Sequence, residues 1–153
     1  MNGKACLTAA WVAMVLAGGA RAQFKAGHVF VTEPSSKHCT FPEFFTWDRI
    51  WEIDPQTGEV TLFAELQNDL CGFVQGAVFT PNGKRLRVGQ PLTNRILELD
   101  WQGNASVAID AADGLLGVSE IVYDADGNFY VSSANGTITR FPAEGGPGTI
   151  FLD

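Results

Sequence analysis

An all-β fold assembled from repeated four-stranded sheets is predicted by three observations. Short β-branched and aromatic runs alternate with glycine-containing turns; the same order of runs and turns returns about every 40–50 residues; and no amphipathic helical period of 3.6 residues is evident. Composition agrees with this. The 153 residues are 46% apolar and 18% charged, an ordinary globular balance, and 17 glycines suit a turn-rich chain.

The clearest unit runs from Ser119 to Phe141. Ile121-Val122-Tyr123 forms a first strand, and Asp126-Gly127 reverses the chain by supplying the positive φ angles of a tight hairpin. Asn128 to Ser132 is the second strand, Asn135-Gly136 the next break, and Thr137 to Phe141 the third strand. Phe129-Tyr130-Val131 is apolar at three successive positions, as expected of a strand covered on both faces. An earlier copy spans Gln75 to Leu99, with Ala77-Val78-Phe79, a turn at Pro81-Asn82-Gly83, then Arg85 to Gly89 and Arg95 to Leu99. The turn glycines Gly83 and Gly127 stand 44 positions apart. A third copy keeps His28 to Thr32 and Arg49 to Asp54, the latter aligning with Arg95 to Asp100 at a spacing of 46. It lacks a first strand before His28. Fourth strands follow at Val60 to Leu66, Ala105 to Ile109 and Thr149 to Leu152.

Four strands per repeat at this period predict a β-propeller of about two and a half to three blades, near 28–66, 74–110 and 118–153. Propellers close with about 4–8 blades, so this arc leaves its outermost faces uncovered. The expectation is a partial propeller from a ring of about six blades. A homodimer closing one ring is the alternative.

Met1 to Ala22 stands outside the repeats. Lys4, the apolar run Ala5 to Ala20 and the small-x-small site Ala20-Arg21-Ala22 predict a signal peptide. The propeller domain is then 23–153, and the location secreted or periplasmic. Cleavage removes Lys4 and Arg21, leaving a remainder more acidic than the net −7 of the whole chain. Without a basic patch, nucleic acid and anionic membranes are excluded as partners, since phosphate affinity comes from Lys and Arg. Cys39 and Cys71 remain in an oxidising setting. Their loops open on one face of a propeller, so a disulfide between them is expected, with two buried thiols as the alternative.

One loop is irregular. Glu33 to Asp48 stands where the next copy has only Gln90 to Asn94. Its aromatics Phe41, Phe44, Phe45 and Trp47 either wall a ligand pocket or cover an edge of the core. A second candidate lies where first strands begin, because those strands line a propeller's channel: Gln75 and Glu120 occupy that place. The segment from Val74 to Asp100 is similar to repeats of the senescence-marker-protein/gluconolactonase-like family, and Ser119 to Phe141 resembles NHL-type repeats. The first resemblance implies a lactonase that holds a divalent cation, usually calcium, through an Asn and an Asp preceding first strands together with a Glu. It carries the Asn position to Gln75 and the Asp position to Glu120, each longer by one methylene. The family's Glu would lie on the first strand missing before His28. Asn104 and Asn135 begin glycosylation triplets.

The function read from sequence is a secreted or periplasmic propeller that binds a small ligand or protein partner through its loop-bearing face. A metal-dependent lactonase or esterase is the alternative. N-terminal sequencing of the exported protein is expected to begin Gln23-Phe24-Lys25; an exported chain retaining Met1 would overturn the leader assignment.

Overall fold

The computed structural model describes residues 12–14, 24–33, 39–40, 43–44, 46–68, 74–143 and 145–153. The first sheet contains β1 (Val12–Met14), β2 (Val29–Glu33), β5 (Thr46–Ile53) and β6 (Val60–Asn68), in that order. Between β2 and β5 a small ribbon pairs β3 (Cys39–Thr40) with β4 (Glu43–Phe44). The second sheet is β7 (Gln75–Phe79), β8 (Leu86–Gln90), β9 (Arg95–Leu99) and β10 (Ala105–Ile109). The third is β11 (Glu120–Tyr123), β12 (Phe129–Ser132), β13 (Ile138–Phe141) and β14 (Thr149–Leu152). All three are antiparallel, and the first strand of the second sheet, β7, lies against both β1 and β11, the first strands of its neighbours.

The sequence reading finds no first strand before His28, and the structure supplies one. Val12–Met14 pairs with Val29–Val31 in β2, Val12 opposite Val31 and Met14 opposite Val29. The inner edge of β2 presents unpaired N–H and C=O groups, and the nearest β-competent apolar run upstream satisfies them. That run belongs to the stretch with leader features, so cleavage after Ala22 would remove β1 and make β2 the innermost strand of its sheet.

Three of the turns follow one chemical rule. At Asp124, the carboxylate accepts from Asp126 N (3.0 Å) and Asn128 N (2.9 Å), while Gly127 N donates to Asp124 O at 3.1 Å. Asp100 and Asp54 repeat the arrangement through Gln102 N and Gln56 N. Only Gly127, at φ 85°, is left-handed there; Asp126 is not, in contrast to the hairpin expected from the Asp-Gly pair. The preceding aspartate is the reason, because its carboxylate fastens a right-handed turn and leaves one residue to close it. These bonds favour the ionised form and hold all three carboxyls below their ordinary values, led at Asp124 and Asp100 by the side chains of Asn128 and Asn104 and at Asp54 by the N–H of Gln56.

Apolar side chains lie on both faces of the middle sheet because a sheet packs against each. Between the first and second sheets, Phe30 meets Phe79 (5.5 Å between centroids) and Phe63 (4.9 Å), and Phe24 fills the corner 4.9 Å from Phe79. Between the second and third, Phe129 stacks on Phe141 at 4.9 Å. The Arg87 guanidinium lies 4.6 Å over Phe129, held by Glu98 at 3.0 Å. Cation–π attraction and a paired charge thus replace aromatic packing at this second interface.

Gly89 in β8 sets how closely the third sheet approaches. A Cβ there would run into the buried Val118 side chain and come 3.0 Å from the Gln75 carbonyl. Gly89→Ala is expected to cost about 1–3 kcal/mol in urea unfolding. In the double variant with Val118→Ala the cost should fall short of the sum of the two single losses. Strict additivity would remove Val118 as the cause.

Candidate functional site

Gln75 and Glu120 each open an inner strand, and a glycine brings them together. Gly76 has φ 62°, and a Cβ on it would lie 3.1 Å from both Glu120 Cα and the Ser119 carbonyl. Its bare backbone therefore lets β7 lie directly on the start of β11. A register irregularity between Gln75 and Val78 bends β7 at this point. Glu120 is fixed from its other side, where Ser119 N donates to Ser132 O at 2.7 Å and Glu120 pairs with Ser132. Both candidate side chains are half-buried. Burial pushes the Glu120 carboxyl above its ordinary value of 4.5, with no offsetting cation among the described residues.

The same end of the molecule is polar in ways the sequence reading missed. Antiparallel register carries Thr32, Asp48, Gln90 and Ser133 to it, all buried. The Thr93 hydroxyl donates to Gln90 Oε1 at 3.3 Å, and Ser133 Oγ donates to the Gly117 carbonyl at 3.1 Å. Gln90 and Ser133 lie at or just beyond strand ends and Thr32 and Asp48 within one or two residues of them, where polar residues are also normal. No local pattern in the sequence marks them as positionally special. A groove of about 300 Å³ runs between the outer strands of the first two sheets, lined by Glu65, Leu66, Gln90, Arg95 and Val107 among others. It forms only when two repeats pack, so no single segment announces it.

Of the loop aromatics, Phe41 and Phe45 lie outside the described residues. Phe44 falls in β4 and Trp47 in β5, opposite Cys39 and Gln67 in register, and their side chains are likewise outside the description. Cys71 and the Cys39 side chain lie outside it too, and with them the expected disulfide. Among the described residues no group of three or more His, Cys, Asp or Glu side chains converges as a metal centre would.

No protein-family model matches the chain, and no curated protein matches its sequence significantly. Solved structures do match. The gluconolactonase XC5397 of Xanthomonas campestris superposes with a TM-score of 0.58 at 21% identity, over 86% of this chain and 44% of that one. A calcium-binding regucalcin from Agrobacterium tumefaciens gives 0.57 at 20%, over 80% and 41%. A chain of the nidogen/laminin complex gives 0.59 at 19%, over 91% and 46%. The fold is part of a β-propeller. Three blades are present in this chain, and the resemblance to gluconolactonase-like and NHL-type propellers holds in their architecture. The chain spans less than half of each of these structures.

Because burial raises the Glu120 pKa, the folded state binds more protons than the unfolded one between about 4.5 and the raised value. Stability falls as pH rises through that window and stays lower above it. Glu120→Gln is therefore expected to give a slightly higher melting temperature than wild type at neutral pH. The difference should vanish below about pH 4.5, where both unfolded and folded carboxyls are protonated. A lower melting temperature for the variant at neutral pH would mean that the carboxylate is stabilised by a partner.

Proposed function

We propose that the chain serves as part of a secreted or periplasmic β-propeller that binds a small ligand or protein partner at the end of its axis where the inner strands begin. One observation carries the reading: Gly76 lets β7 lie against the start of β11, which brings the strand starts that carry Gln75 and Glu120 close together at the polar end. An amide offers a donor and an acceptor, and a partly desolvated carboxylate favours a cationic or hydrogen-bond-donating group. The loop carrying Phe41, Phe44, Phe45 and Trp47 leaves from this same end, and in this reading supplies an apolar wall. The leader features at 1–22 and the Cys39 and Cys71 pair support export.

A second reading, a lactonase or esterase-type hydrolase dependent on a cation such as calcium, is supported by the fold likeness to a gluconolactonase and a calcium-binding regucalcin, with two ligand positions carried to Gln75 and Glu120 by the sequence resemblance alone. Gln75 and Glu120 would supply at most three of the six to eight oxygens that calcium takes, so backbone carbonyls, water or further side chains would have to provide the rest. No step is therefore derived through a cation.

Thermal-shift measurements against sugar lactones, their hydroxy acids and calcium chloride separate the readings. Binding predicts a rise in melting temperature with at least one of these probes that Gln75→Ala/Glu120→Ala removes, and no hydrolysis. Lactone hydrolysis that chelation and Glu120→Ala both abolish would favour the enzyme. Shifts that survive the double variant would move the site away from the inner strands.

A further inference from the structure

The register assigns equivalent positions in the three blades, and these show what the uncovered faces are built to meet. Phe30, Arg87 and Tyr130 are each the second residue of a second strand. Phe30 reaches the next blade at Phe79, and Arg87 reaches the next blade at Phe129 and, 5.8 Å away, Tyr123. Among the described residues the Tyr130 ring meets only Phe151 of its own sheet, at 5.1 Å. Third strands repeat the pattern. Ile50 and Ile96 face the next blade fully buried, while their equivalent Ile138 is only half-buried. Around it Val122 and Phe151 remain 56% and 62% exposed.

The opposite face of each blade receives the preceding one. In the second blade that face consists of Leu86, Val88, Leu97 and Leu99, and in the third of Phe129, Val131, Thr139 and Phe141, all buried. The first blade carries Val29, Val31, Trp51 and Ile53 at these positions, each half-buried, beside Val60 and Leu62 at 56% and 48% exposure. The first blade thus ends in a receiving face and the third in a covering face. The receiving face is apolar, the covering face sets Arg140 beside its apolar residues as the second blade sets Glu98, and within the chain faces of these two kinds already pack together twice.

We infer that a second copy of this chain occupies both, head to tail, with the third blade of each copy on the first blade of the other. Identical contacts form twice about a two-fold axis and close the ring. Three blades per copy give about six in the pair, within the range at which propellers close. The chain spans 44% and 46% of the gluconolactonase and nidogen/laminin chains, so two copies supply nearly one such length. The inner-strand site would then be enclosed on all sides, with Gln75 and Glu120 contributed by each copy.

Light scattering of the purified exported chain tests this through two substitutions at exposed positions, Leu62→Glu on the receiving face and Phe151→Glu on the covering face. Wild type is expected at twice the chain mass, and each variant at half of that, with an unchanged circular dichroism spectrum. An equimolar mixture of the two variants should recover a 1:1 dimer through its one intact contact. A folded wild-type monomer would overturn the inference and give the faces to further blades or another protein. A dimer lost in only one variant would also overturn it, because the contact would then join like face to like face, and so would a dimer that survives both substitutions or a polydisperse aggregate.

Discussion

The constraint on which this structure depends is that a blade is apolar on both faces, so no blade is stable alone. Each sheet must be pressed between two others, and the chain meets the requirement twice with different chemistry. Between the first and second blades the contact is aromatic, Phe30 on Phe79 with Phe24 and Phe63 around it. Between the second and third, an arginine lies across Phe129 with Glu98 neutralising it. Burying Arg87 without Glu98 would cost more than the ring contact returns, since an unpaired charge loses its hydration. The pair therefore behaves as one unit, polar along the sheet and apolar toward the neighbour.

Architecture was legible because a blade is written in local signals. β-branched and aromatic runs and the turn glycines Gly83 and Gly127 recur at a fixed period, and the strands from β7 to β14 lie close to where those signals place them. Two features were not legible for the same reason. The turn at Asp124 differs from the one the Asp-Gly pair suggests because a carboxylate two residues earlier decides it, and β1 pairs with β2 across a separation no local pattern records. Val12-Ala13-Met14 reads equally well as a leader core and as a strand, since both ask only for apolar residues.

The site was less visible still. Gln75 and Glu120 can be chosen from sequence only by assuming that first strands line a channel; what makes them neighbours is the absence of a side chain at Gly76, which becomes informative once the opposite strand is known. Thr32, Asp48, Gln90 and Ser133 gather around the same end through register, although in sequence they are scattered polar residues near turns. The fold resemblance and the site therefore rest on different residues. Blade-forming positions carry the resemblance, while Gln75 and Glu120 stand at the starts of inner strands.

A last consequence follows from the order of strands within the sheets. In the second and third blades every ladder joins strands consecutive in the chain, across connections of only a few residues. Closing such short loops costs little entropy, so each of these blades can zip from its first turn outward before any long-range contact exists. The first blade differs, because β1 must wait for β2 and the ribbon-bearing loop must be spanned before β5 arrives. A chain emerging from its N-terminus therefore makes its slowest blade first, and the two quick ones that follow provide the surface against which that blade is completed.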